Sequence, residues 1–248
     1  DVAAGMGQQL LNEKLKPTDF VDLVEGAGEA ERFTGTIGRA MRVAELEGTA
    51  ASLLKLYEQG KLERVRNPDE IKHNIELLGT GNQRAVRLAQ ERLAAAGEYA
   101  MPQLLDALRQ GQDNMLRARA QQLMIGMGQQ AVTPLCTALV KLDPVGQEMA
   151  ADILGLVGYR TSLPYLTDTL MSTQNTSVKA ACERAIGRIG NAAGDVAELY
   201  EQLAEGYYAE KPELLSFPGE AIQLLWSFDP AIGLVPYAIR TEVFNEAM

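Results

Sequence analysis

The chain has 248 residues, 46% of them apolar and only 6% aromatic, with a net charge of −10 and a pI near 4.8. That is enough apolar material for a real core, in one or two domains or in an elongated repeat array. Acids exceed bases in the N-terminal, central and C-terminal stretches alike, which argues against wrapping a phosphate backbone, and no apolar run approaches the ~18 residues that cross a bilayer.

The sequence opens at Asp1 rather than Met, as expected of a processed or trimmed chain. Residues 1–66 read as an irregular helical segment packing on the helical array C-terminal to it. Short helices with loops are expected in "GQQLLNEKL" and "TDFVDLVEGAGEAERF", then across "IGRAMRVAEL" and "TAASLLKLYEQG". "NPDEIKHNIELLGTGNQ", residues 67–83, reads as one helix and a Gly-rich turn, with Asp69 and Glu70 favourable in the first helical turn.

Residues 67–210 read as stacked helix pairs, because the chain repeats itself there. Gly97, Gly128, Gly158 and Gly190 each close an apolar helix, at spacings of 31, 30 and 32 residues. Eight positions before these glycines stand Ala89, Ala120, Ala150 and Cys182, and four before stand Leu93, Met124, Leu154 and Ile186. With Ala96, Met127, Val157 and Ile189 one position back, these residues share one face of a 3.6-residue helix. The small residues at the middle position let a neighbouring helix approach closely. The Gly suits the left-handed residue that ends a helix.

A second helix comes after each Gly. Pro102, Pro134 and Pro164 fit a first helical turn, and leucines recur four apart: Leu104 and Leu108, Leu135 and Leu139, Leu166 and Leu170. The fourth unit has Val196 in place of the Pro but keeps Leu199 and Leu203. One such pair cannot bury its own apolar face, and stacking pairs makes one continuous core.

The helix ends "AIGRIG" at residues 185–190 and "ILGLVG" at 153–158, with looser copies "MIGMG" and "LAAAG", resemble the short bacterial HEAT repeats of about thirty residues. The resemblance implies an all-α fold, a right-handed α-solenoid of antiparallel helix pairs, over residues 82–210. It is specific for fold and weak for function, since HEAT arrays serve many purposes.

Residues 211–248 read as a divergent C-terminal repeat without a cap. "GYYAEKPELLSFPGEAIQLLWSFDP" holds an enlarged connection, and "AIGLVPYAIRTEVFNEAM" reads as a helix with Ile232, Val235, Ile239 and Val243 on one face. A solenoid usually ends in a unit with a polar outer face, so an apolar end calls for further chain or a covering molecule.

Catalytic signals are sparse. His73 is the sole histidine and its neighbours offer no second ligand type at metal spacing, so it reads as a helix-surface residue. Cys136 and Cys182 read as buried reduced thiols. The G-x-G stretches lack a preceding strand or a following G-K-[ST] and read as turns. The deoxyhypusine hydroxylases, a HEAT-like enzyme class, hold two irons with several His-Glu pairs that this chain lacks. The HEAT-like alkylpurine DNA glycosylases need a basic groove.

Two binding surfaces are expected. If the Gly-terminated helices line the concave side, Arg117, Gln147 and Lys179, Gln121 and Glu183, and Asp152 with Arg184 form a ladder mixing both charges with amides. Such a ladder suits a protein better than a polyanion. The second surface is the C-terminal edge, where Tyr207, Tyr208, Tyr237 and Phe244 belong to a group of seven aromatics among the chain's fourteen.

The reading is therefore a non-enzymatic, cofactor-free scaffold or assembly subunit that binds a protein or a larger multiprotein complex, with neither nucleic acid nor membrane insertion. The alternative is a phycobilin-lyase-like enzyme or chaperone, because similar short HEAT repeats occur in phycobilin lyases; no bilin-site motif accompanies it. The residues leave the compartment open between cytoplasm and periplasm.

Overall fold

The computed structural model describes residues 2–12, 15–110, 113–190 and 195–248. It divides into two compact units, Asp1–Ile71 and Lys72–Met248.

The first unit holds α1 (Val2–Asn12), α2 (Pro17–Gly26), α3 (Ala30–Ala40) and α4 (Ala44–Val65). The long α4 is the post against which the other three pack. Phe20, Val21 and Val24 of α2, Ile37 of α3, and Ala50, Leu53 and Tyr57 of α4 make its core. Phe33 meets Phe20 edge-on at 5.6 Å and lies 4.9 Å from Tyr57, the offset geometry that aromatic quadrupoles favour. The helix expected across "IGRAMRVAEL" is instead broken at Met41–Val43, where a tight turn separates α3 from α4. The helix expected in residues 7–15 is the end of α1; Glu13 and Lys14 lie outside the described residues.

α5 (Pro68–Leu78) spans the division between the units. The repeat then runs as α6 (Gln83–Ala96), α7 (Met101–Gln110), α8 (Asn114–Met127), α9 (Val132–Leu139), α10 (Pro144–Val157), α11 (Leu163–Ser172) and α12 (Thr176–Ile189). Gly97, Gly128, Gly158 and Gly190 end α6, α8, α10 and α12, all at positive φ, where a side chain would be strained. Only Gly158 has the left-handed helical pair of angles expected for all four (φ 79, ψ 15).

The starts of the same helices are as regular as their ends. Asn82, Asp113, Asp143 and Asn175 each stand fifteen residues before the closing Gly. The Asn82 and Asn175 side chains each accept two backbone N–H groups, and Asp113 accepts one. Asp143 makes no such bond, and Pro144 opens its helix instead.

Ala89, Ala120, Ala150 and Cys182 are all fully buried, as are Leu104, Leu135, Leu139 and Leu166 of the intervening helices. The most extensive helix contact joins α10 and α12. It is close because Gly155 of α10 lies against Ala185 of α12, and Ala151 and Ala181 on the same two helices are small and buried as well. An Asp152–Arg184 pair crosses the same seam at 2.9 Å, with Arg188 3.7 Å from Asp152.

Beyond α12 the structure departs from the repeat. α13 (Val196–Tyr208) packs on α11, but its far end reaches α9, where Tyr207 shares a hydrogen bond with Thr133. It thus runs from α11 to α9. Residues 211–248 are not a divergent helical repeat. They form β1 (Ile222–Asp229), β2 (Gly233–Arg240) and α14 (Thr241–Ala247), with the strands antiparallel in the register Trp226↔Pro236.

The physical reason is local and tertiary together. Pro236 cannot sit inside a helix, and Leu224, Trp226 and Phe228 alternate onto one buried face. The Asp229 carboxylate accepts the Ala231 and Ile232 amides in the turn, and Gly233 supplies positive φ. Trp226 Nε1 donates to buried Glu98 at 3.4 Å. The Phe228 ring lies 5.8 Å from the Arg109 guanidinium, and its carbonyl accepts Lys141 Nζ at 3.4 Å.

The hairpin is thus strapped over α7 and α9. The polar turn of the repeat holds the strap's leading edge: Gln129 donates to the Glu213 and Leu215 carbonyls, and Gln130 to Ser216. Nor is this end of the solenoid apolar, for α12 exposes no large apolar side chain and its open side carries Glu183 and Gly187.

Candidate functional site

A groove of about 820 Å³ opens in the second unit. Its floor is apolar: Leu163 and Pro164 at the start of α11, Leu199 and Leu203 on α13, and Leu214. The turn Tyr159–Thr161 makes one wall and the segment around Lys211–Leu214 closes one end. Along α13, Leu199, Gln202, Leu203 and Gly206 have helical i, i+3, i+4, i+7 spacing, so one stripe of this helix forms the other wall. Gly206 matters because a Cβ there would come 3.0 Å from Leu214 Cδ1, filling the narrow end.

α13 is held in place from beneath. Asp195 and Glu198 form a capping box at its start. Tyr200 stacks edge-on against Tyr165 at 5.3 Å, and burial with the neighbouring Asp168 pushes the Tyr200 hydroxyl up to about 12. Burial pushes the Tyr207 hydroxyl up to about 12 as well. These phenols stay protonated at neutral pH and act as packing groups.

The charged lining is balanced, with Glu205 and Glu213 against Arg160 and Lys211. Glu198 and Glu201 on α13 and Glu210 after it are exposed but do not line the groove.

The expected site residues fall into three groups. Tyr207 and Phe244 are core residues, 6% and 2% exposed, stacked edge-on at 6.1 Å with Leu214 beside them. The expectation of a binding edge there is corrected: the aromatic density reflects α14 packing on α13. Tyr208 and Tyr237 are open to solvent, 90% and 53% exposed, but one is the last residue of α13, outside the groove lining, and the other is on β2.

The ladder residues lie on α8, α10 and α12. Glu183 is exposed; Arg117, Gln121, Gln147, Asp152 and Lys179 are half-buried. Several have internal partners: Arg117 donates to Asn114, Gln147 to the Leu139 carbonyl at 3.0 Å, and Asp152 receives Arg184. None of them lines the groove.

The groove's own residues are legible in the sequence only as structure: Leu163 and Pro164 as a helix start, Leu199 and Leu203 as a repeat's leucines. The signal present is the enlarged connection after residue 206, which supplies Lys211–Leu214.

Burial pushes the Cys182 thiol up to about 11, and Cys136 is raised further by the same cause. Neither is positioned as a nucleophile. Among the described residues no group of three or more His, Cys, Asp and Glu could hold a metal ion, and no helix is long and apolar enough to cross a membrane.

The repeating caps, the buried small residues and the paired helices point to one architecture, and a family comparison agrees: the model of HEAT repeats matches residues 101–187. These residues are HEAT repeats. The matched HEAT segment covers α7 to α12, three helix pairs, and α6 continues the pattern with the same cap positions. No curated protein matches the chain. HEAT repeats generally mediate protein–protein interaction, and the groove borrows one wall from the last of them and the other from α13.

Proposed function

We propose that the chain is a non-enzymatic protein-binding scaffold that takes a partner in the groove between α11 and α13. The observation that carries this reading is the groove itself: a leucine-floored concavity of about 820 Å³ with a charged rim. An apolar centre with a polar rim is the anatomy of a protein-binding patch. Its lining offers no pairing of a nucleophile with a base. The helices that frame it are locked by packed phenols and a capping box, so the patch is pre-organised.

The test is quantitative affinity capture of the tagged chain from the lysate of its source cell, run beside a Gln202→Arg, Leu203→Gln variant. The expected result is a stoichiometric protein that the wild type retains and the variant loses at least tenfold. Capture of the same proteins by both, or of a small-molecule cargo alone, would overturn the proposal.

A further inference from the structure

The turns between the repeat helices already hold a peptide, the chain's own C-terminal segment. Building on the scaffold reading, we infer that the α11–α13 groove takes an extended, uncharged peptide segment of another protein. The backbone carbonyls of that segment accept from Arg160, and its apolar side chains rest on the leucine floor.

After Gly97 and after Gly128, the next two residues face the C-terminal segment. In the Gly128 turn, Gln129 donates to the Glu213 carbonyl and, at 3.2 Å, to that of Leu215, and Gln130 donates to the Ser216 carbonyl at 3.3 Å. In the Gly97 turn, the Tyr99 ring lies 5.7 Å from that of Phe217, and Glu98 accepts Trp226 Nε1. Residues 215–217 lie outside any helix or strand, with Leu215 extended (φ −84, ψ 132). The segment is thus gripped across two successive turns through its carbonyls and rings.

The third turn repeats this construction with its donor free. Gly128 and Gly158 each stand six residues before a proline, Pro134 and Pro164, so Tyr159 and Arg160 take the places of Gln129 and Gln130. The turns also abut: a Cβ on Gly97 would strike the Gln130 side chain, and one on Gly128 would come 3.8 Å from the Tyr159 hydroxyl. Tyr159 and Arg160 are exposed and line the groove, and among the described residues Arg160 has neither a hydrogen bond nor an ion pair. A guanidinium, like the glutamine amide, donates to carbonyls.

The groove begins where the gripped segment starts, for Lys211 and Leu214 close its end. A second segment laid in it would continue the same track one turn further. The balanced charges of the lining favour neither an acidic nor a basic occupant, which suits recognition of neutral backbone.

The test uses the whole chain and two uncharged peptides carrying a neutral dye. One is the gripped segment with glutamine for its glutamate, Pro-Gln-Leu-Leu-Ser-Phe-Pro-Gly, whose prolines and short length disfavour a helix. The other is a helix of alanine and glutamine with leucines at i, i+3, i+4, i+7 spacing. Fluorescence anisotropy should give saturable binding of the first, about fivefold or more tighter than of the second. Arg160→Ala should weaken it about fivefold or more, whereas Arg160→Gln, which installs the donor of the Gly128 turn, should stay within about twofold of wild type. Arg87→Ala, at an exposed position on α6, should also stay within about twofold.

Hydrogen exchange should show protection of residues 159–163 and 199–206 on binding. Absent binding, tighter binding of the helix, no loss with Arg160→Ala, or equal loss with Arg160→Ala and Arg160→Gln would overturn the inference. Should the chain's own partner cross-link at Gln202 while the extended peptide fails to bind, the extended-peptide inference falls and the scaffold reading stands. Should no protein cross-link there either, both fall.

Discussion

Gly155 of α10 lies directly against Ala185 of α12: a Cβ on Gly155 would stand 2.6 Å from the Ala185 Cα and 2.8 Å from its Cβ. Backbone cannot yield as a flexible side chain can, so Gly155→Ala should prise the seam open and cost about 1–3 kcal/mol. Gly187, on the open side of α12, has nothing within 4 Å of its would-be Cβ. Gly187→Ala should therefore stabilise the same helix by about 0.5–1 kcal/mol through helix propensity alone. Urea unfolding monitored by circular dichroism, read on the transition of the second unit, separates the two signs.

The repeated caps make a second contrast. Asn82→Ala and Asn175→Ala each remove a side chain that accepts two backbone N–H groups and should cost about 1 kcal/mol. Asp143→Ala removes no cap hydrogen bond, only a 4.0 Å approach to Arg109 with both groups partly exposed, and should cost less than about 0.5 kcal/mol. Equal losses at all three positions would contradict this assignment of the caps.

The HEAT repeats are legible in the sequence because their information is local and recurs every thirty residues. Ala89, Ala120, Ala150 and Cys182 each sit one helix away from a like residue, and each closing Gly fixes its own turn. The hairpin is hidden because Ile232, Val235, Ile239 and Val243 also satisfy a helical period. What decides between the two is Pro236, the Asp229–Gly233 turn and the contact of Trp226 with Glu98, 128 residues away. The groove is less legible still. Its floor joins Leu163 to Leu199 and Leu214, residues united only by the diagonal path of α13 and the return of the chain past Gln129. A count of aromatics carries no information about their partners, so Tyr207 and Phe244, stacked on each other, read as surface residues.

The buried rings give a measurable contrast. Phe244→Ala and Trp226→Ala remove them and should each cost about 3–5 kcal/mol. Tyr208→Ser, at a residue 90% exposed, should fall within about 0.5 kcal/mol of wild type. Near-ultraviolet circular dichroism through thermal unfolding would report the loss of the Trp226 environment.

The thiols give a pH dependence with a fixed sign. Cys182 rises from 9.0 to about 11 in the folded chain, so folding favours its protonated form. That contribution is fully present below pH 9.0, fades as the pH rises toward about 11, and is gone above it. At about 1.4 kcal/mol per pH unit the loss approaches 3 kcal/mol at most. Cys182→Ala should flatten this part of the stability profile between pH 8 and 11, measured by denaturant midpoints at each pH. The native thiols should also react with a disulfide reagent at pH 8 only as fast as the chain opens.

The proposed function turns on whether the α11–α13 groove holds a protein. A photo-cross-linking amino acid placed at Gln202, which lines it, and separately at Arg87, exposed on α6, tests that in the source cell. A discrete protein should cross-link from position 202 and not from position 87. Cross-links of equal yield from both positions, or none from 202, would contradict a protein-binding groove.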